Sequence, residues 1–398
     1  MAYLSNGEGW GARAFIPVFG RTLWVTTCED GPQEGTLRWA LTQAPAGPSV
    51  IKFRVGGVFA LDYRRYNHLA LAGGRRVFID GFTAPEPVEL QRAGLYFTDG
   101  GGACGDLVLR GLKIRPGEPG NQETTHGPGG ERALTVLAES GAITRVLIDH
   151  CDLGWTTDDS FNVYGPGTTH VTLQWCLLAP GRGYRAIDAA PPPAPIAHKG
   201  TLLGVPAPPC PAESRWITIH HCLYAGFYQR SPLVFDCTLD FVNNVVAGWT
   251  GGADFGRCHV NIRGNAYLHD PAIAFAPPDK PWVWYDRPPP EVPNTMDDGS
   301  IYLDGNACTH PDVDPDDAWS LIGYRDVPGN TPPPRAWQAT QPWGGAGVMR
   351  ASSARAAVRA VLAGAGCLQQ AKGKAWRTRD ALASAAAQRA AFLGAGLF

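Results

Sequence analysis

Residues 148–160, IDHCDLGWTTDDS, place five ionisable side chains in one short stretch of the chain. They are Asp149, His150, Asp152, Asp158 and Asp159. So many polar groups would be costly in an ordinary buried strand, because each one needs a partner or water. Three interpretations are open at this point: a site that binds a cation, a general acid paired with a general base, or a solvated turn.

The elements that would position these side chains form an internal repeat. Strand-like runs begin at Val146, Val171, Ile217, Leu239 and Val260. The intervals are 25, 46, 22 and 21 residues, and the second is about twice the others. Each run alternates apolar and polar residues and is rich in Val, Ile and Thr, which favours β-strands.

Each run also carries Cys or Asn at the same position, and these residues form one column of the alignment: Cys151, Cys176, Cys222, Asn244 and Asn265. A short strand and turn that recur at this period cannot bury their apolar face alone, and they stack on their neighbours as a solenoid. Stacked Asn side chains can bond along the column, and Cys acts there as a small hydrophobe. We therefore expect an all-β parallel β-helix. A sandwich or barrel ranks second, because its hairpin turns would recur at shorter intervals.

Composition narrows the classes of function. The net charge is −2 and charged residues make up 18 % of the 398 residues, so neither nucleic acid nor a membrane is the expected partner. The N-terminus has no basic segment followed by an apolar one, so no signal peptide is predicted within this chain. Ten cysteines without regular metal-ligand spacing argue against zinc, and Cys237 and Cys258 could either pair or remain free thiols.

Three segments are predicted from shifts in composition. The β-helix is expected over residues 1–275, and a Pro-rich extended segment packed on it over 276–348. Residues 349–398 are rich in Ala, Arg and Leu, which predicts a helical tail. A monomer is expected.

Seven motifs occur in an order that resembles the pectate lyases of polysaccharide lyase family one, in the bacterial branch. They are GEGWGA at 7–12, TLRWAL at 36–41, FIDGFTAP at 78–85, IDHCDLGWTTDD at 148–159, IAHKGTLLG at 196–204, ITIHHCLYAGFYQRSPLV at 217–234 and DFVNNVV at 240–246. The similarity covers about residues 5–270. It implies a right-handed parallel β-helix, a secreted or periplasmic location, and calcium-assisted cleavage of polygalacturonate or a related uronan by β-elimination.

The resemblance also implies roles for individual residues. Asp158 and Asp159 match the acidic calcium-binding run, and Asp149 matches a further recurrent acidic position. Lys199 matches the lysine that contacts the substrate carboxylate, and Arg230 matches the arginine proposed as the base.

Further candidates surround these residues. Glu131 is the nearby acidic candidate for the metal, because Arg132 stands where the family carries an acidic ligand. Phe235 stands where the family more typically has a second arginine. Candidates for binding sugar are Arg182 and Arg185 in a Gly-rich loop, together with Trp155 and Tyr228, whose rings could stack on saccharides.

Each candidate also has a structural interpretation. The aspartate pair could be a solvated turn, Lys199 a surface lysine, and Arg230 a partner of a structural carboxylate. Two other functions remain open. A glycoside hydrolase on the same fold would use paired carboxylates, and a non-catalytic carbohydrate-binding β-helix would explain the departures at Arg132 and Phe235.

Overall fold

The structure is a computed structural model, and the description covers fourteen stretches of the chain. These are residues 8–14, 20–116, 132–156, 158–179, 199–204, 215–227, 229–249, 251–256, 258–272, 280–284, 300–324, 332–344, 349–367 and 381–395.

Three parallel sheets, A, B and C, account for the strands in these stretches. Sheet A contains ten strands: Arg21–Val25, Ser49–Phe53, Arg75–Asp80, Ala103–Arg110, Ala142–Asp149, Thr168–Gln174, Trp216–His220, Thr238–Val242, His259–Arg263 and Ile301–Asp304. Sheet B contains nine: Gly57–Ala60, Val88–Gln91, Leu112–Arg115, Asp152–Gly154, Leu177–Ala179, Leu223–Ala225, Val245–Ala247, Ala266–Leu268 and Ala307–Cys308. Sheet C also contains nine: Leu69–Ala72, Leu95–Thr98, Leu134–Leu137, Asp159–Tyr164, Lys199–Leu203, Leu233–Val234, Ala253–Phe255, Trp282–Trp284 and Ile322–Tyr324.

The chain visits the three sheets in turn, so each circuit adds one strand to each sheet. The register matches the repeat seen in the sequence. Val146 pairs with Val171, Val171 with Ile217, Ile217 with Leu239, and Leu239 with Val260. All five side chains are fully buried. The fold is therefore a parallel β-helix, as the sequence predicts.

The column of Cys and Asn lies at the corner between sheets A and B. Cys151 N–H donates to Cys176 Sγ over 3.4 Å, and Asn244 N–H donates to Asn265 Oδ1 over 2.8 Å. Asn306 extends the column by one coil and accepts from Asn265 N–H at 3.0 Å. These bonds satisfy backbone donors that the sharp corner would otherwise leave buried without partners.

The described cysteines are free thiols, including Cys237 and Cys258. The coils continue beyond residue 275, through the strands Trp282–Trp284, Ile301–Asp304 and Ile322–Tyr324. No helix in the described stretches is long and apolar enough to cross a membrane.

Two of the three sheets are covered on their outer faces. The N-terminal segment lies on sheet A, where Trp10 N–H donates to Thr218 Oγ1 and Gly11 N–H donates to Thr172 Oγ1. Sheet B is covered by the tail. Four α-helices lie in the described stretches: Leu37–Gln43, Tyr63–Tyr66, Ala354–Gly364 and Ala381–Gly394. The last two pack on the apolar outer face of sheet B.

Candidate active site

Five charged side chains meet at one end of the strands of sheet C. Arg132 precedes the strand Leu134–Leu137, and Asp158 and Asp159 lie at the start of the next strand along the sheet. Lys199 pairs with Asp159 in the following coil, and Arg230 follows Gln229, which bridges to Lys199. Parallel stacking thus brings residues up to 98 positions apart in the sequence into one cluster, which we call the sheet C charge cluster.

The cations of the cluster bond directly to its two carboxylates. Lys199 Nζ lies 3.0 Å from Asp158 Oδ1, and Arg132 Nη2 lies 3.0 Å from Asp158 Oδ2. Arg230 Nη1 lies 2.8 Å from both oxygens of Asp159 and 4.0 Å from Asp158 Oδ1. Three cations therefore share two carboxylates, which leaves one positive charge in excess.

Burial separates the two kinds of charge. The side chain of Asp159 is fully buried and that of Asp158 is 10 % exposed, whereas Arg132, Lys199 and Arg230 are 29 %, 21 % and 22 % exposed. The carboxylates therefore form the floor of the cluster, and the cations form its solvent-facing surface. Such a surface attracts anions.

An irregularity between Gln229 and Leu233 sets the position of Arg230. Between the pairs Lys199–Gln229 and Leu202–Leu233 the second strand has one extra residue, which is the count of a β-bulge. Arg230 has a φ of 64°, and its carbonyl accepts from Thr201 N–H over 2.7 Å. Gly200 must be glycine here, because a Cβ atom would lie 2.3 Å from the Arg230 carbonyl oxygen.

Three further side chains complete the cluster, and the sequence analysis missed them. In the orientation that satisfies both its ends, the Asn162 amide accepts from Arg132 Nε at 2.9 Å and donates to Asp159 Oδ2 at 3.2 Å. Tyr96 bonds to Arg132, and Tyr164 lies close enough to interact with it electrostatically. The stacking of adjacent coils could have suggested these residues, since Thr135 pairs with both Tyr96 and Asn162.

Two pKa shifts follow from this arrangement. Burial raises the pKa of Asp159, and the charge of Asp158 raises it further, while Arg230 opposes the shift. Burial lowers the pKa of Arg132, but Tyr164, Asp158 and Tyr96 raise it by more, so the net shift is upward. Arg132 is therefore a permanent cation in the cluster.

Asp149, expected beside the metal, lies elsewhere. It ends a strand of sheet A, where it is buried, contacts His150 Nδ1 at 2.7 Å and accepts from Gln174 Nε2 at 2.8 Å. Trp155 lies in the turn between sheets B and C with Arg115 over its ring at 5.3 Å. Four more candidates, Glu131, Arg182, Arg185 and Tyr228, lie outside the described residues.

The calcium expectation can be tested against the donor atoms. Calcium takes six to eight oxygen ligands, mostly from carboxylates, carbonyls and water. Within the described stretches, no group of three or more His, Cys, Asp or Glu side chains is placed to hold a metal ion. Asp158 and Asp159 already accept from cations at every carboxylate oxygen. A calcium ion at these oxygens would be repelled by three cations, so the donor set of the described residues does not fit a calcium ion.

No family model matches the chain. A curated relative, a probable pectate lyase C of Aspergillus terreus, is 26 % identical over 276 residues, which cover 68 % of this chain and 55 % of the relative. This chain is similar to the pectate lyases. It spans about half the length of that relative.

Solved structures show the same fold. The cedar-pollen allergen jun a 1 superposes with a TM-score of 0.55 at 16 % identity, over 90 % of this chain and 92 % of the allergen. The pectate lyase Bsp165PelA of Bacillus sp. N165, solved with trigalacturonate, gives 0.54 at 16 % identity, over 90 % and 98 %. A pectate lyase bound to a hexasaccharide gives 0.54 at 12 % identity, over 92 % and 97 %. The fold is a right-handed parallel β-helix.

Proposed function

We propose that this chain is a polysaccharide lyase that cleaves a uronate-containing glycan, with polygalacturonate as the first candidate, by β-elimination. One observation carries the proposal: on sheet C, which no described terminal segment covers, three partly exposed cations stand over two buried carboxylates. Acidic sugars are the substrates that such a surface attracts. The sequence similarity to a probable pectate lyase supports the same reaction class.

The reaction places negative charge where the cluster is positive. Elimination breaks the C5–H bond and the C4–O4 bond, and it forms a C4–C5 double bond. As the C5 proton leaves, charge spreads onto the uronate carboxylate, and Lys199 and Arg132 stabilise that charge from fixed positions. Because the two cations are already held by Asp158, little reorganisation is needed when the charge develops.

Arg230 is the group that we propose faces the C5 proton. Its Nη1 is held by both oxygens of Asp159, and the bulge at residue 230 fixes its backbone. Asp159 is therefore a positioning residue, since it is fully buried and reaches substrate only through Arg230. Arg230, in its neutral form, accepts the C5 proton, and the departing O4 takes up a proton from solvent, so the step balances. No step is assigned to a metal ion.

The proposal also implies a binding partner and a cellular location. The expected partner is an acidic polysaccharide, bound by a monomer. Because such polymers are too large to enter a cell, we place the protein in the secreted or periplasmic space.

An absorbance assay tests the reaction class. Elimination from polygalacturonate gives an unsaturated product that absorbs in the ultraviolet, whereas hydrolysis releases reducing ends without that absorbance. We expect absorbance to rise with the wild-type chain. Reducing ends alone would establish a hydrolase, and binding without either signal would establish a carbohydrate-binding protein.

The role of Arg230 is tested by Arg230→Ala. Loss of a fixed charge-stabilising group costs about 10²- to 10³-fold in kcat, so we expect at least that loss in kcat/KM. The matched control is Arg145→Ala, because Arg145 also bonds one aspartate, Asp106, but lies on sheet A. Full activity of Arg230→Ala, with circular dichroism unchanged, would remove Arg230 from the mechanism.

A further inference from the structure

The carboxylates of the sheet C charge cluster have no oxygen without a donor. Asp158 uses one oxygen for Lys199 and the other for Arg132, each at 3.0 Å. Both oxygens of Asp159 accept from Arg230 at 2.8 Å. A divalent ion bound to either aspartate would therefore lie beside one or more of these cations and would be repelled by them.

Arg132 lies between two of the oxygens that would otherwise be available to a cation. Its Nη2 contacts Asp158 Oδ2 at 3.0 Å, and its Nε donates to the Asn162 side-chain oxygen at 2.9 Å. Tyr96 bonds to the same guanidinium. The guanidinium is therefore fixed by three neighbours, and fixed donors are what a planar cation needs to hold a carboxylate.

We propose that Arg132 supplies, from within the chain, the positive charge that a calcium ion would supply, and that this protein binds and cleaves its uronate substrate without calcium. The inference rests on the proposed function for the identity of the substrate. The inference concerns the net charge of the cluster. With one positive charge in excess, the cluster matches a single uronate carboxylate, whereas a bound divalent ion would leave it three charges in excess.

The first experiment measures metal binding without substrate, so it does not depend on activity. Calcium is titrated into the full chain by calorimetry after treatment with a chelator. We expect no saturable uptake at the cluster, and no difference between wild type and Asp158→Asn. Uptake of one calcium that is lost in Asp158→Asn, or in Glu131→Gln, would overturn the inference.

The second experiment measures elimination with and without a calcium chelator. We expect kcat/KM on polygalacturonate to change by less than twofold when the chelator is added. Activity that is abolished by the chelator and restored by calcium would overturn the inference. If the wild-type chain is inactive on every uronan, the proposed function is wrong. The calorimetric titration would still show whether the chain binds calcium at the cluster.

Variants at Arg132 separate its charge from its packing. We expect Arg132→Ala to lower kcat/KM by about 100-fold, through both a lower kcat and a higher KM, with Arg145→Ala as the matched control. Arg132→Lys keeps the charge and should recover part of the loss. If Arg132→Ala keeps wild-type KM and kcat, Arg132 does not hold the substrate and the inference falls.

Discussion

Asp152 and Asp158, six residues apart in the stretch 148–160, lie in two regions with opposite surroundings. Asp152 lies on sheet B, where Arg115 Nη2 lies 3.4 Å away and the backbone N–H of Cys367 donates to it at 2.7 Å. The tail closes over this ion pair, and the two C-terminal helices pack on the same sheet. Asp158 lies on sheet C, where its cations remain 21 % to 29 % exposed.

The comparison shows that an aspartate beside arginine is not by itself a functional signal. Both regions have the same chemistry, a carboxylate held by cations within one coil or the next. The covered pair fixes the tail to the solenoid, whereas the cations of the other pair remain partly exposed. What differs among the described residues is the outer layer: terminal segments lie on sheets A and B, whereas the cations on sheet C are partly exposed.

The largest expected effect comes from removing one aspartate in each region. Asp152→Ala leaves Arg115 with Glu89 as a remaining partner at 3.2 Å, but it removes the acceptor of the buried Cys367 N–H, which costs about 2 kcal/mol. We expect urea unfolding to show that loss, with kcat/KM unchanged. Asp158→Ala should do the reverse and lower kcat/KM by about 100-fold with a smaller loss of stability, because its cations can turn to water. The comparison fails if the two variants exchange these effects.

A smaller effect concerns the covered face of sheet A. Burial, together with the neighbouring His221, lowers the pKa of His220 to about 3. The unfolded chain binds a proton near pH 6.5 that the folded chain does not, so stability is fully present above that pH and falls as the pH decreases. We expect a loss of roughly 2 kcal/mol between pH 7 and pH 5.

The measurement is urea unfolding across this pH range, with His220→Gln as the comparison variant. Glutamine does not titrate. Between pH 7 and pH 5, the stability of His220→Gln should therefore fall by roughly 2 kcal/mol less than the stability of the wild type. Parallel pH profiles for the two proteins would show that His220 is not the group responsible. Elimination activity should not follow this titration, because His220 lies on sheet A and the cluster on sheet C.

The smallest effect sharpens the description of the uncovered region. Tyr96→Phe removes the hydroxyl that bonds to Arg132 and keeps the ring that packs against His68. Loss of one hydrogen bond costs about 1 kcal/mol, so we expect KM to rise about fivefold. Tyr302→Phe, on sheet A, is the control. An unchanged KM would mean that Arg132 is held well enough by Asp158 and Asn162 alone.

The fold could be predicted from the sequence because each repeat is a short, local pattern of residues. Val146, Val171 and Ile217 mark successive coils, and their pairing in sheet A follows from the alternation of apolar residues. The family resemblance singled out Asp158, Asp159, Lys199 and Arg230, which the structure brings together. Their catalytic and metal-binding roles stay predictions.

The sheet on which each aspartate lies could not be predicted from the sequence. Asp149, Asp152 and Asp158 are close neighbours along the chain, but corners after residues 149 and 154 send them to three different sheets. Arg132 illustrates the same limit. The sequence showed a basic residue at an acidic position of the family, and only stacking against Asp158 and Asn162 made it part of the cluster.

The sequence by itself determined the period of the coils, the column of Cys and Asn at their corner, and the residue types available for chemistry. The tertiary structure decided which face stays uncovered and which charges meet there. The physical reason is that side-chain alternation sets direction within one strand, whereas contacts between coils depend on how whole circuits stack and on where the terminal segments pack.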